Sequence, residues 1–246
     1  MRQKLIYYSL LVLLLGSCAK SYQNKFYKEN GFVTNLNESS APIISQYEVT
    51  NKQFRTFLKE DDNKRFNYDS TKWKKLVGID FKFYNFHPAY DNFPVVNISY
   101  EAAEAYCKWL SKEYTLKSKN FDAIVRLPKP SEFDNLIEEN IGELRGDYAS
   151  DYDSCRYVDN LKYLNRKDTF ENYDIDGCLI PCPVNKFKQQ GHYSILGNVS
   201  ELCQGGIIKG GNWFTLPSEI KLNKLYELPD PRVGFRIVLE KPSSAK

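Results

Sequence analysis

Apolar positions recur along this chain at helical spacing in three places and as short continuous runs in several others. Phe54, Phe57 and Leu58 share one face of a predicted helix that Thr50 or Asn51 can cap. Ala102, Ala103, Tyr106, Cys107 and Leu110 line the face of a second helix, with Ser99 as its cap. Phe133, Leu136 and Ile137 mark a third, opened by Pro130 in its first turn. Ile43–Val49, Ile207–Ile208 and Val233–Leu239 read as strands. Ala19–Asn30 is polar and reads as a tether. Lys59–Asn92 is polar but carries Phe66, Tyr68, Trp73, Phe81, Phe83, Tyr84 and Phe86, so it reads as a long ordered loop region. Glu143–Phe187 shows no long periodic pattern. The pattern by itself supports only a mixed α and β chain.

The first residues follow a different rule. Arg2 and Lys4 precede an apolar run, Leu5–Leu15, that is too short for a normal membrane span and suits a signal peptide. Leu15-Gly16-Ser17-Cys18 resembles a bacterial lipobox, which implies cleavage before Cys18 and acylation of that residue. Residues 1–17 are then the signal peptide, and 18–41 the acylated cysteine and tether. An ordinary secretory signal with an incidental cysteine is the simpler alternative; the agreement of basic region, apolar region and small residues favours the lipobox. Lipid chains on Cys18 would anchor the protein to a membrane without spanning it.

Charge adds little. The chain has 34 basic and 31 acidic residues, and losing Arg2 and Lys4 with the signal leaves the mature chain near +1. No basic stripe or nucleic-acid motif is present, so a nucleic-acid partner is not expected. Eighteen tyrosines suit a loop-rich domain, since each buries a ring and still needs a hydroxyl partner. After Cys18 remain Cys107, Cys155, Cys178, Cys182 and Cys203, an odd number that leaves at least one thiol free or paired with another chain. Cys178 and Cys182 could close a small loop. Only His87 and His192 are present, and the cysteine spacing fits no common zinc site.

Six strings stand in a fixed order: YEVTNKQFRTFL (Tyr47–Leu58), FPVVNISYEAAEAYCKWL (Phe93–Leu110), VRLPKPSEFDNL (Val125–Leu136), GHYSILGNVSELC (Gly191–Cys203), KGGNWF (Lys209–Phe214) and GFRIV (Gly234–Val238). Together they resemble the formylglycine-generating enzyme (sulfatase-modifying factor) domain family, over residues 42–240, with a C-terminal tail at 241–246. The resemblance implies an α+β, C-type-lectin-like fold, loop-rich, with short strands and about three helices. Lys129 stands where the family usually has a capping Thr, a departure that bears on stability.

The same resemblance locates what is missing. Catalytic members carry one cysteine two residues after the aromatic of the Gly-Gly-Ser-aromatic string and another five further on. Those thiolates bind copper, and the site oxidises a substrate cysteine with oxygen; soft sulfur ligands are what select Cu(I). Here Trp213 is the aromatic, and the two positions hold Thr215 and Ile220; the string's Ser is Asn212. No copper and no enzyme activity are expected, unless other cysteines form a substitute pair. Without that chemistry, Gly210 and Gly211 permit close backbone approach and Trp213 packs in the core.

The family also holds structural calcium. Carried over by position, one site takes Ser194, the carbonyls of Gly197 and Val199, and the Glu201 carboxylate; Ser194 replaces an Asp or Asn. The other takes Asn160 with the Leu161 carbonyl and Asp176 with the Cys178 carbonyl. Calcium needs six to eight oxygens, and the alternative is that Glu201 and Asp176 are hydrogen-bonded loop residues.

Three functional classes follow. The first is a non-catalytic lipoprotein that uses the domain as a scaffold or protein-binding module. Lipid-anchored members of this family serve gliding motility and type IX secretion in the Bacteroidota, and the Lys-, Asn- and Tyr-rich composition with the lipobox resembles them. That implies an outer-membrane lipoprotein facing the periplasm with an envelope protein partner, for which Lys59–Asn92 is the candidate aromatic patch. The second is a sulfatase-maturing oxidase with an atypical site. The third is a lectin-like ligand-binding module, although the Glu-Pro-Asn and Gln-Pro-Asp sugar motifs are absent. The first is preferred.

Overall fold

The computed structural model describes residues 21–33, 41–78, 80–118, 124–147, 178, 180–189, 191–213 and 222–240. Among them are five α-helices: α1 (21–29), α2 (Asn51–Phe57), α3 (Thr71–Val77), α4 (Tyr100–Ser118) and α5 (Pro130–Asp147). The strands are β1 (Ile43–Ile44), β2 (Ile124–Arg126), β3 (Lys188–Gln189), β4 (His192–Tyr193), β5 (Ser200–Cys203), β6 (Ile207–Lys209), β7 (Lys224–Leu225), β8 (Val233–Gly234) and β9 (Val238–Glu240). This is the loop-rich α+β architecture the sequence predicts.

The three predicted helices form where their caps stand. Thr50 accepts from the Gln53 N–H, and the Gln53 side chain accepts from the Thr50 N–H, closing a capping box on α2. Ser99 Oγ accepts from Ala102 N–H at the start of α4. At α5, Lys129 has no capping hydroxyl, but the Glu132 carboxylate accepts from the Lys129 N–H at 2.8 Å and keeps half of the box.

Three sheets result among the described residues. β9 is the middle strand of the first, between β1 and β2 and antiparallel to both, with Ile44 opposite Val238 and Val125 opposite Leu239. The second has the order β7-β6-β5-β8; β5 runs antiparallel to β6 and parallel to β8. β3 and β4 make a two-stranded ribbon. Gly234 is needed in β8, since a Cβ there would lie 2.8 Å from the Val95 carbonyl oxygen. The main core gathers Phe54, Phe57, Tyr106 and Phe235 between α2, α4 and the β8–β9 segment.

Four expectations need correction. Ala19–Asn30 is not all tether: from residue 21 it forms α1, with Phe26 and Tyr27 buried against Tyr114. Its polar composition hides two adjacent rings on one helix face. Lys59–Asn92 contains α3, which buries Trp73 and ends at Gly78 in the left-handed conformation. The Asp69 carboxylate accepts from the Thr71 N–H at its start. Most rings of this region turn inward, so the predicted aromatic patch reduces to Phe83 and Phe86 as strongly exposed rings. Ile43–Val49 is regular strand only at Ile43–Ile44, and Val233–Leu239 breaks between β8 and β9. Past Ile44 the Ser45 and Gln46 carbonyls accept from Arg236 Nη1 at 3.2 Å, and β8 and β9 belong to different sheets, with Arg236 in the link between them.

Candidate functional site

β5 and the loop before it carry the string from which a calcium site was expected, and the structure puts an ion pair there. Arg236, between β8 and β9, donates from Nε and Nη2 to the two Glu201 oxygens, both at 2.6 Å. Both side chains are fully buried. Arg236 Nη2 also donates to the Tyr193 carbonyl at 3.0 Å. Burial raises the Glu201 pKa, with the guanidinium pulling against it.

A second carboxylate completes the cluster. Asn198 sits at positive φ and donates from Nδ2 to Glu48 Oε1 at 2.8 Å. Its Oδ1 accepts from the Cys182 N–H at 2.8 Å. Glu48 is buried and its Oε2 has no hydrogen-bond partner among the described residues. Burial pushes the Glu48 pKa up to about 8; Arg236 opposes the rise and Glu201 adds to it. Near neutral pH, Glu48 therefore holds a proton while Arg236 faces Glu201. His192 adds no charge: burial and the nearby guanidinium push its pKa down to about 4.

These groups do not fit calcium. The single carboxylate of the expected set, Glu201, spends both oxygens on a guanidinium, and a divalent cation would meet that positive charge. Ser194 is buried with its Oγ unpartnered, and Gly197 and Val199 flank Asn198 in the same buried turn. Of the other predicted set, Asn160, Leu161 and Asp176 lie outside the described residues. Cys178 is bonded to Cys182 in a disulfide. Among the described residues, no group of three or more His, Cys, Asp or Glu could hold a metal.

Thr215, Ile220 and the lipobox Cys18 also lie outside the described residues; Asn212 does not. Asn212 Nδ2 donates to Ser200 Oγ at 2.8 Å, and Gly210 beside it has positive φ, with Ile195 and Phe133 pressed against the backbone. Trp213 is buried and stacked on Trp73, centroids 6.2 Å apart, as the packing reading of this string predicts. A hollow of about 380 Å³ opens beside Asn212, walled by Ser200, Lys72, Lys224, Asp230 and Arg232. Burial would raise the Asp230 pKa, but the hydrogen bonds and charge of Arg232 outweigh it and hold it low. On the rim, Leu222, Leu225 and Leu228 are 50%, 67% and 63% exposed.

Thiol chemistry is poorly served by the described cysteines. Cys107 and Cys203 are free but buried, in separate apolar clusters. Burial pushes both thiols far up, away from the thiolate form that ligates metal or attacks.

Sequence reading missed Glu48 and Arg236. A signal was present: Glu48, Glu201 and Arg236 are the single charged residues of EVTN, NVSEL and GFRIV, beside apolar neighbours in each. Opposite charges at core positions imply one another.

Comparison with known proteins agrees with this architecture. A family model described as the sulfatase-modifying factor enzyme 1-like domain matches residues 37–241. No curated protein sequence matches the chain. Among solved structures, PvdO from Pseudomonas aeruginosa is similar at 19% identity and a TM-score of 0.52, over 81% of this chain and 80% of that one. CarF is similar at 18% identity and 0.53, over 82% and 87%. Treponema denticola variable protein 1 is similar at 16% and 0.52, over 84% and 90%. At these identities the likeness concerns the fold.

Proposed function

This chain belongs to the sulfatase-modifying factor enzyme 1-like domain family, and from that premise we propose that it is a non-catalytic envelope lipoprotein whose domain binds a protein partner. The observation that carries the proposal is the hollow beside Asn212. At the family's copper positions the sequence has Thr215 and Ile220, which cannot act as thiolates. The described walls offer an amide, a hydroxyl, an ion pair and two lysines, rimmed by exposed leucines. Such a surface suits a polypeptide, with apolar contacts at the rim and hydrogen bonds inside. Fold alone does not fix function, so the argument rests on these side chains.

The lipobox at Cys18 supports an anchor in the outer membrane with the domain in the periplasm. The Lys-, Asn- and Tyr-rich composition supports a role in gliding motility or type IX secretion.

The test is affinity capture from detergent-solubilised native envelopes with the acylated protein, alongside Leu225→Glu/Leu228→Glu, with bound metal quantified in each sample. A defined partner retained by the parent and reduced at least tenfold by the variant supports the proposal. Stoichiometric copper, lost on thiol alkylation, would overturn it in favour of an oxidase.

A further inference from the structure

We propose that the exposed side of the C-terminal half of α4, with the first turn of α1, is the surface on which the domain rests against an anionic lipid bilayer. This rests on the Cys18 anchor proposed above. Cys18 precedes Ser21 by three residues, a reach of at most about 10 Å. Ser21 already belongs to α1, and α1 is held to the domain. Phe26 and Tyr27 are buried, and the Phe26 ring lies 4.0 Å from that of Tyr114 between centroids. The lipid would thus stand within three residues of a docked helix, so the place of Ser21 decides which side of the domain meets the bilayer.

The described part of α1 starts beside the later turns of α4. Tyr22 shares a cleft with Trp109, Leu110 and Glu113. The adjoining face of α4 is open to solvent: Lys108, Lys112 and Leu116 are exposed, Leu116 at 64%. They stand at i, i+4 and i+8, one stripe about 12 Å long. Toward the helix start the stripe continues with Glu104 and Glu101. Its acidic half is therefore remote from the anchor and its basic half adjacent. On α1, Lys25 and Lys28 are exposed, Lys25 lying 3.7 Å from Glu29. Lysines beside an exposed leucine fit a bilayer surface: ammonium groups meet lipid phosphates, stems lie along the interface, and the leucine enters it. The same charge order suits the helix dipole, so it is the short link to α1 that selects lipid over a protein partner.

The test uses full-length acylated protein in vesicles of mixed neutral and anionic lipids with brominated acyl chains, which quench nearby indoles. Leu116→Trp is compared with Leu228→Trp, and the parent emission is subtracted from each. Position 228 is the control because the Tyr226 hydroxyl donates to the Ile98 carbonyl, just ahead of the far end of α4. Quenching at 116 is expected to exceed that at 228 at least twofold, and Lys108→Glu/Lys112→Glu to halve it. Mass spectrometry of the N-terminal peptide is run on the same sample. An unacylated Cys18 would overturn the anchor and this surface together. An acylated Cys18 with equal or reversed quenching would overturn this surface alone.

Discussion

Arg236 holds Glu201 through two hydrogen bonds of 2.6 Å, at a place where neither side chain reaches solvent. The two residues are 35 positions apart in sequence, and their pairing ties β5 to the link between β8 and β9. Arg236→Met would leave a buried carboxylate without its counter-charge, and unfolding in urea should show a loss of about 3–5 kcal/mol. Adding Glu201→Leu should recover only part, because the Ser45 and Tyr193 carbonyls would still lack the Arg236 donor and Gln46 would keep only its bond from the Tyr193 N–H. Full recovery in the double variant would show that those carbonyl bonds contribute little.

Glu48 gives stability a pH slope of unusual sign. Its folded pKa, about 8, lies above the ordinary 4.5. Between those values the unfolded chain releases the proton and the folded chain keeps it, so this group lowers stability as pH rises through the window. Above about pH 8 the effect is complete. Glu48→Gln keeps an acceptor for Asn198 and removes the titration. The melting temperature of the variant should therefore fall less than that of the parent between pH 5 and pH 9. Parallel curves would rule out Glu48 as the source.

The capping box of α2 should be measurable one residue at a time. Thr50→Ala removes the acceptor for the Gln53 N–H and should destabilise by about 1 kcal/mol. Thr50→Ser should retain most of that. Equal losses for both would mean that the threonine methyl, not the cap, is what matters.

The Cys178–Cys182 disulfide closes a loop of only a few residues, for which chain entropy gives about 2 kcal/mol. Cys178→Ser/Cys182→Ser should lower stability by that amount under oxidising conditions and by nothing extra in reductant. Cys107 and Cys203 should resist thiol reagents until the protein unfolds, since both are buried. Reaction of either at the native rate of an exposed thiol would contradict the packing.

Local features were legible in the sequence, and non-local ones were not. Thr50, Ser99 and Pro130 mark helix starts because capping is a matter of a few neighbouring residues. α3 was hidden by its surroundings: Trp73 and Leu76 stand at helical spacing and Asp69 and Gly78 bracket it, but the polar, ring-rich stretch around them reads as loop. α1 was hidden by composition: two rings suffice to dock a helix otherwise made of polar residues. β1 and the β8–β9 segment read as longer strands than they are, because nothing local shows that a guanidinium will meet the Ser45 and Gln46 carbonyls or that β8 and β9 join different sheets. The site string was read through its resemblance as a calcium ligand set. The resemblance singled out Glu201 as a calcium ligand and said nothing of Arg236, which both its oxygens meet.

The middle strand of the first sheet, β9, is the last of the described strands in the order a ribosome would make them. Until Val238–Glu240 has emerged, β1 and β2 have no common neighbour to pair with, and Glu201 waits in the same way for Arg236. Domains whose pairings join distant parts of the chain close late and slowly. In a growing chain the first sheet and the buried ion pair can therefore close only after Arg236 and Val238–Glu240 have been made.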